Sequence, residues 1–338
     1  MEKDLEKRFA VLAEYTDSVG GLINSTFQEF GLDSKTMKAV EVALWGYEKF
    51  YFNKHSKEIT AIAKILGIER SVMLAVNCYY DLIMAYFKFG SVSEVLGCLK
   101  SKLPLMGCTA FVYNSPDGPV LARNLDWDKK PELKKLSVIV EYKGRLRENS
   151  FKTVSYPGLT SVFSGMKPGY FAVTLNMVES SDKEIAQPVT MLLRDVLENT
   201  KSFDDAVKRF SEEKIMSDCL LTVAGVNKGE MVVIERTPNR AQIRYAENDF
   251  IVVTNDYIKL KQDTPNSQSS INPIFESSCG RFEGAFRRLT ENLPKTPMDA
   301  YDILSDPNVF FGEITDQQMV MCPATDFLDA REPVLPGV

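Results

Sequence analysis

Gly107-Cys108-Thr109-Ala110-Phe111-Val112 is the stretch on which the reading of the chain turns. Before it, apolar residues recur every three or four positions, the period of a helix that buries one face. From it onward the runs are short, rich in β-branched and aromatic residues, and separated by turn residues, the pattern of strands. The turn Ser115-Pro116-Asp117-Gly118 follows, and the chain then returns through Val120–Arg123 into Arg123-Asn124-Leu125-Asp126-Trp127. A cysteine therefore stands at the change of period, with an Arg-Asn-x-Asp cluster on the next run.

Working downstream, the expected strands are Thr109–Tyr113, Val120–Arg123, Leu136–Tyr142, Phe151–Ser155, Thr160–Phe163 and Tyr170–Leu175. Two helices follow, one from Pro188 to about Leu197 with proline at its start and one from Ser202 through Phe210. Strands resume at Leu220–Ala224, Met231–Glu235, Gln242–Tyr245 and Phe250–Thr254. The polar stretch Gln262–Asn272 reads as a mobile loop or linker. Helices at Phe282–Leu289 and Met298–Leu304 and a last strand at Gln318–Cys322 close the chain. Strands, helices, strands and helices in that order suit sheets covered by helices on the outside.

Working upstream, Leu5, Phe9 and Leu12 form one apolar stripe. Asp33-Ser34 stands as an N-cap before Met37, Val40, Leu44, Tyr47 and Tyr51. A helix from Glu58 to Leu66 should end at Gly67, a buried one should cover Val72–Phe87, and Val92–Leu99 could form another. Aromatic residues near Phe50-Tyr51-Phe52 could touch lipid or a membrane surface, although aromatic stripes of this kind more often belong to a core.

The bulk numbers exclude several classes. With 338 residues the chain can bury a large core. A net charge of −6 argues against nucleic acid as the main partner. No run approaches the roughly 20 apolar residues of a membrane span. The charged start, Met1-Glu2-Lys3-Asp4-Leu5-Glu6-Lys7, lacks the apolar centre of a signal peptide, so a cytoplasmic protein is expected. The six cysteines, Cys78, Cys98, Cys108, Cys219, Cys279 and Cys322, form no C-x-x-C pair, and neither a zinc site nor a redox motif is expected. In such a compartment most should be reduced thiols packed as small apolar residues. The single histidine, His55, lies in a polar link between helices and reads as a solvent-exposed loop residue. It removes the usual base for Ser-His-Asp or Cys-His-Asn catalysis and leaves no histidine-based metal site.

A nucleophilic enzyme made from this chain needs another base. If Cys108 were an N-terminal residue, its own α-amine, with a pKa of about 8, could take the thiol proton and return it to a leaving amine. That requires a cut between Gly107 and Cys108. Glycine on the acyl side removes bulk and widens the backbone geometries open to thiol attack on the preceding carbonyl. Read singly, Arg123 could equally be a surface cation, and Asn124 and Asp126 could cap a turn at a strand end.

Gly107-Cys108-Thr109-Ala110 followed by Ala122-Arg123-Asn124-Leu125-Asp126-Trp127 resembles the start of the catalytic subunit of N-terminal-nucleophile amidases of the choloylglycine hydrolase superfamily. Within that superfamily the acid ceramidase and N-acylethanolamine acid amidase branch looks closest. Gly165–Asn176, which ends Thr174-Leu175-Asn176, is similar to that branch, as are Val253-Thr254-Asn255-Asp256-Tyr257 and Tyr301-Asp302-Ile303-Leu304-Ser305. Asn77-Cys78-Tyr79-Tyr80-Asp81 resembles the end of its helical pro-segment. The likeness runs from about residue 70 to the end.

The resemblance implies an αββα sandwich (an α+β fold) over residues 108–338, preceded by an all-helical pro-segment over residues 1–107. The two self-cleaved fragments would remain associated. It implies hydrolysis of a linear amide with an apolar, fatty-acyl group, through a Cys108 thioester and without metal or cofactor. By the same likeness Arg123 would hold the thiolate region and the substrate carbonyl side, and Asp126 would bind the new ammonium. Asn255 would donate to the oxyanion, with the backbone near Asn176 as a second donor, and Arg281 would be a further active-site arginine. Three departures stand out. The branch's glutamate after Thr-Leu-Asn is Met177 here, and Gln262–Asn272 lengthens the gap between Asn255 and Arg281. The branch's eukaryotic members are secreted with disulfides, whereas this chain shows neither a signal nor matching cysteines. An acyltransferase of the penicillin-forming kind and a bile-salt or penicillin acylase share the same frame. A non-catalytic lipid-binding protein with a structural Cys108 is the alternative from another class.

Overall fold

Two antiparallel sheets face each other and carry helices on both outer surfaces. The computed structural model describes residues 2–29, 46–49, 51, 55–89, 106–127, 131–144, 146–260 and 277–333. In the first segment these include α1 (Glu2–Arg8), α2 (Thr16–Glu29), α3 (Ser56–Leu66), α4 (Arg70–Asn77) and α5 (Tyr79–Phe89). The strands are β1 (Met106–Ser115), β2 (Gly118–Trp127), β3 (Val138–Tyr142), β4 (Phe151–Ser155), β5 (Ser164–Lys167) and β6 (Phe171–Asn176), then β7 (Cys219–Ala224), β8 (Met231–Arg236), β9 (Ala241–Tyr245) and β10 (Phe250–Val253), then β11 (Thr315–Cys322) and β12 (Phe327–Arg331). Between β6 and β7 lie α6 (Val189–Asn199) and α7 (Phe203–Glu212); between β10 and β11 lie α8 (Ser278–Glu291) and α9 (Ala300–Leu304).

The strand order is β10-β1-β2-β11-β12 in one sheet and β3-β4-β5-β6-β7-β8-β9 in the other. Side chains alternate across a strand, so each sheet offers one face to the other sheet and one to helices. Ala110 and Val112 of β1 and Met319 and Met321 of β11 meet Ala172 of β6 and Leu220 of β7 in the layer between the sheets. The intervening residues Phe111, Tyr113, Val120 and Ala122 pack against Ala285 and Leu289 of α8 and Ile303 and Leu304 of α9. On the far side, Phe171, Val173 and Leu175 of β6 pack with Leu192, Leu193 and Val196 of α6 and Phe210 of α7. The same core takes in Ile59, Ile62 and Leu66 of α3 and Met73 of α4, which joins the N-terminal helices to the sandwich. The layer order is αββα, and the fold has the mixed class its sequence suggests.

Local chemistry accounts for most boundaries. Helix α3 ends at Gly67, whose φ of 64° is the left-handed conformation that glycine enters without a Cβ penalty. Ser202 caps α7 by accepting the Asp205 N–H. The single buried helix expected over Val72–Phe87 is instead two, broken at Cys78 (φ −102°, ψ 7°). The apolar pattern runs through the break because both helices are buried. The strand expected at Thr160–Phe163 is a connection, and β5 begins only at Ser164. The Val162 N–H goes to the Thr190 carbonyl at 3.1 Å rather than to a ladder. The edge strand β12 has no counterpart among the expected elements.

His55 corrects the sequence reading: it is buried, 6% exposed, with Nδ1 3.6 Å from a Glu58 carboxylate oxygen. Arg194 of α6 reaches the same carboxylate at 3.3 Å, a contact between distant segments that sequence spacing does not reveal. Burial pushes the Glu58 carboxyl up, but His55, Arg194 and Arg8 together hold it below its ordinary value. Cys78, Cys219 and Cys322 are buried and Cys279 is exposed; Cys98 lies outside the described residues. The helix expected from Asp33 falls outside them apart from its last turn, as do the whole of Val92–Leu99 and Gln262–Asn272. Phe50 and Phe52 are also outside, while the Tyr51 hydroxyl donates to the Ile185 carbonyl at 3.0 Å. No described helix is long and apolar enough to cross a membrane.

Candidate active site

The β1–β2 ladder sets the first half of the site. Gly107 pairs with Asp126, Cys108 with Leu125 and Ala110 with Arg123. Alternation then sends Cys108 and Arg123 toward the seven-stranded sheet, and Thr109, Asn124 and Asp126 toward α8 and α9. Arg123 is fully buried, and its guanidinium is held from the opposite sheet. Nη1 donates to the Phe163 carbonyl at 3.1 Å and to Ser164 Oγ; Nη2 donates to the Leu175 carbonyl and lies 3.0 Å from Cys108 Sγ. A buried cation thus sits against the thiol, fixed by three further acceptors. The Cys108 Sγ also lies 3.8 Å from the Leu175 carbonyl.

The second half comes from the end of β10 and from α8. Asn255 Oδ1 accepts the Cys108 main-chain N–H at 3.1 Å and Arg281 Nη2 at 2.8 Å. Its Nδ2 donates to the Met177 carbonyl at 2.7 Å, which leaves the second hydrogen of that amide for another acceptor. Arg281 Nη1 donates to the Cys108 carbonyl at 2.6 Å and to Thr109 Oγ1 at 2.9 Å. It also lies 3.8 Å from Asp126 Oδ2. Asp126 Oδ1 accepts Thr315 Oγ1 at 2.6 Å, while Oδ2 accepts no hydrogen bond.

The electrostatics follow from burial. Desolvation pushes the Asp126 carboxyl above its ordinary value, opposed by Arg281, by the Thr315 hydroxyl and by Arg123. Desolvation likewise lowers Arg281, opposed by Asp126. The charges are mutually supported but expensive to keep dry, which is common where function rather than stability selects them.

Of the six residues the sequence singles out, the structure brings Cys108, Arg123, Asp126, Asn255 and Arg281 into one connected cluster. Asn176 stands beside it: its side chain donates to the Thr254 carbonyl at 2.9 Å and so braces the main chain next to Asn255. Several members have no place among those six. Thr109 is within reach of sequence reasoning, since alternation places it on the face opposite Cys108. Ser278 lies one helical turn before Arg281, and its hydroxyl accepts the Asn255 N–H at 2.9 Å. Ser164 and Thr315 carry no sequence signal, because only tertiary packing places them. Among the described residues no cluster of histidine, cysteine or carboxylate side chains is arranged to hold a metal ion.

A largely buried cluster of aromatic rings begins at Phe163, next to Arg123. Phe163, whose carbonyl Arg123 grips, packs edge-on to Tyr80 at 6.0 Å and lies 6.5 Å from Trp127. Trp127 in turn meets Tyr79 at 5.3 Å and Tyr156 at 6.0 Å. Two of these rings belong to α5.

Residues 113–316 match the family model described as acyl-coenzyme A:6-aminopenicillanic acid acyl-transferase. The chain is similar to the N-acylethanolamine-hydrolyzing acid amidase of Caenorhabditis elegans, 28% identical over 272 residues, covering 74% of this chain and 71% of that protein. It is also similar to the acid ceramidase of Mus musculus, 26% identical over 258 residues, covering 69% of this chain and 59% of the relative. Among solved structures, the C. elegans N-acylethanolamine-hydrolyzing acid amidase ortholog superposes with a TM-score of 0.53 at 25% identity. That match covers 64% of this chain and 93% of that one.

Proposed function

From membership of the acyl-coenzyme A:6-aminopenicillanic acid acyl-transferase family, to which this chain belongs, we propose that it is a self-processing cysteine amidase. One observation carries the reading. The two reactive atoms of Cys108 are held separately, its nitrogen by Asn255 Oδ1 and its sulfur by Arg123 Nη2. A structural cysteine needs neither contact.

Maturation begins when Sγ adds to the Gly107 carbonyl carbon. The Gly107–Cys108 C–N bond breaks, the nitrogen leaves with a proton as the new α-amine, and a thioester links Gly107 to Cys108. Water hydrolyses that thioester, giving a carboxylate on Gly107 and restoring the thiol. The products are fragments 1–107 and 108–338, whose continued association is supported by the core that α3 and α4 share with α6. In turnover the amine takes the thiol proton and the thiolate adds to the substrate carbonyl. The second Nδ2 hydrogen of Asn255 meets the oxyanion. The ammonium, held by Asn255 Oδ1 and Asp126 Oδ2, protonates the leaving amine. Water then cleaves the acyl thioester with the amine as base, releasing a carboxylic acid. Arg123 stabilises negative charge on sulfur, and Arg281 fixes the Cys108 carbonyl and the orientation of the Asn255 amide. The scheme uses no metal and no cofactor.

The acyl group is apolar. The largely buried ring cluster of Tyr79, Trp127, Tyr156 and Phe163, joined to Arg123 through the Phe163 carbonyl, supports this, as do the names of the relatives, an N-acylethanolamine amidase and a ceramidase. A second reading rests on the family's own description, which is of an acyltransferase: an amine in place of water would resolve the same thioester.

Intact-mass measurement tests the core of the proposal. Wild type should give two fragments meeting at Gly107/Cys108, and Cys108→Ala should give one full-length chain without activity. An uncut wild type that hydrolyses amides would overturn the amine mechanism. A panel of N-acylethanolamines, ceramides, bile salts and penicillin V, with and without an added amine acceptor, then separates hydrolysis from transfer and fixes the head group.

A further inference from the structure

Asn77 is the last residue of α4, in the first segment, yet its side chain is spent mainly on the sandwich. Its Oδ1 accepts the Thr160 N–H at 2.7 Å, Thr160 Oγ1 at 2.9 Å and the Ser161 N–H at 3.2 Å. Its Nδ2 donates to the Met73 carbonyl of its own helix at 2.9 Å and across to the Gly158 carbonyl at 3.4 Å. Gly158, Thr160 and Ser161 lie in the connection from β4 to β5. Gly158 seats that connection against α3 and α4 with φ of 92°, and a Cβ there would stand 3.0 Å from the Leu66 and Met73 side chains. The connection has no ladder between Ser155 and Ser164, so one buried amide from another segment supplies the acceptor that a neighbouring strand would.

The connection ends at the site. Two residues after Ser161 comes the Phe163 carbonyl, and next to it Ser164 Oγ; both accept from Arg123 Nη1. The Phe163 carbonyl also accepts the Leu175 N–H at 2.9 Å, which ties it to the strand whose Leu175 carbonyl takes Arg123 Nη2. We propose that Asn77 is a positioning residue for the amidase reaction: through residues 158–164 it fixes the acceptors that aim the Arg123 guanidinium at Cys108. This rests on the cysteine-amidase reading and adds to it that the fragment cut away still supports the catalytic arginine.

The test compares Asn77→Ala and Asn77→Asp in the full, matured chain, with co-elution of both fragments confirmed and a fatty-acyl aminocoumarin amide as substrate. Asn77→Ala should lower kcat about tenfold and leave KM within about twofold, since misaimed catalytic groups cost turnover rather than binding. Asn77→Asp keeps an oxygen acceptor for the same donors and should recover most of that loss. In an Arg123→Lys background, where the fork is gone, Asn77→Ala should cost less than about twofold further, the non-additivity expected of residues acting through one group. Unchanged kcat in Asn77→Ala, a rise confined to KM, or an undiminished loss in the Arg123→Lys background would each overturn the proposal. If Asn77→Ala does not fold, Thr160→Val replaces it: about a threefold fall in kcat at unchanged KM supports the link, and no fall overturns it. Cys108→Ala separates the levels. If it is inactive while Asn77→Ala is normal, only this proposal fails; if it stays active, the amidase reading itself fails.

Discussion

The β1–β2 hairpin and the β10–α8 junction contribute the two halves of one site by different means. Arg123 reaches Cys108 across a sequence separation of 15, within two ten-residue strands whose ladder leaves no freedom of register. Asn255 and Arg281 reach the same cysteine across separations of 147 and 173, and no ladder pair links either of them to it. On the hairpin side, geometry comes from the backbone, and a one-residue slip would turn Cys108 away from the opposite sheet. On the junction side it comes from hydrogen bonds that side chains make: the Ser278 hydroxyl to the Asn255 N–H, the Asn255 amide to the Met177 carbonyl, and the Arg281 guanidinium to Asn255 Oδ1. The hairpin half should therefore lose chemistry out of proportion to stability. The junction half should show the two losses together.

Arg123→Lys probes the first expectation and should have the largest effect. A lysine carries the charge but not the planar fork that spans the Phe163 carbonyl, Leu175 carbonyl and thiol at once. Turnover should fall by about 10²–10³ while KM changes little, because the lost interaction is made to the reacting group. The measurement is steady-state kinetics on matured protein, with thermal melting alongside. A lysine variant that retains a tenth or more of wild-type turnover would remove the distinction between the halves, as would a loss of stability larger than that of Arg281→Lys.

Arg281→Lys probes the junction. Here the guanidinium joins the Cys108 carbonyl, Thr109 Oγ1, Asn255 Oδ1 and, at 3.1 Å, Ser277 Oγ. A lysine satisfies only some of these and leaves buried acceptors behind, so stability should fall by about 2 kcal/mol in chemical denaturation. Activity should fall less than for Arg123→Lys, by about tenfold, since the arginine holds the frame rather than the thiol. Self-cleavage, followed by intact mass, should slow in step, because the Cys108 carbonyl belongs to the residue being freed.

The same contrast decides which features the residues disclose on their own. The change of period at Cys108 and the turn at Ser115–Gly118 are local, so the hairpin and its alternation are legible in the sequence. The order of strands and helices suits sheets covered by helices on the outside, and the αββα layering itself is reached by family likeness. His55 reads as exposed, and is not, because its burial depends on Arg194, distant in sequence, packing over Glu58. Thr160–Phe163 reads as a strand, and is not, because its N–H groups are taken by Asn77 and Thr190 rather than by a ladder. Arg281 is reached only by family likeness, since the long polar insert ahead of it hides its spacing from Asn255. Thr315 and Ser164 are ordinary hydroxyl residues until two sheets bring them against Asp126 and Arg123.

Ser278→Ala should have the smallest effect and sharpens the contrast most. Its hydroxyl accepts the Asn255 N–H at 2.9 Å and donates to Thr254 Oγ1 at 2.9 Å, so it joins the first turn of α8 to the end of β10. Ser278 is fully buried, and removing the hydroxyl strands the Asn255 N–H without water to replace it. The cost should be about 1–2 kcal/mol of stability. Arg281, one turn along the same helix, keeps its own contacts to Cys108 and Asn255, so the amide of Asn255 stays oriented from its other side. Turnover should then fall only about threefold, with KM unchanged. A loss as large as that of Arg123→Lys would mean that the junction is as rigidly coupled to the chemistry as the hairpin. The backbone ladder would then hold no advantage over a chain of side-chain hydrogen bonds in placing a nucleophile.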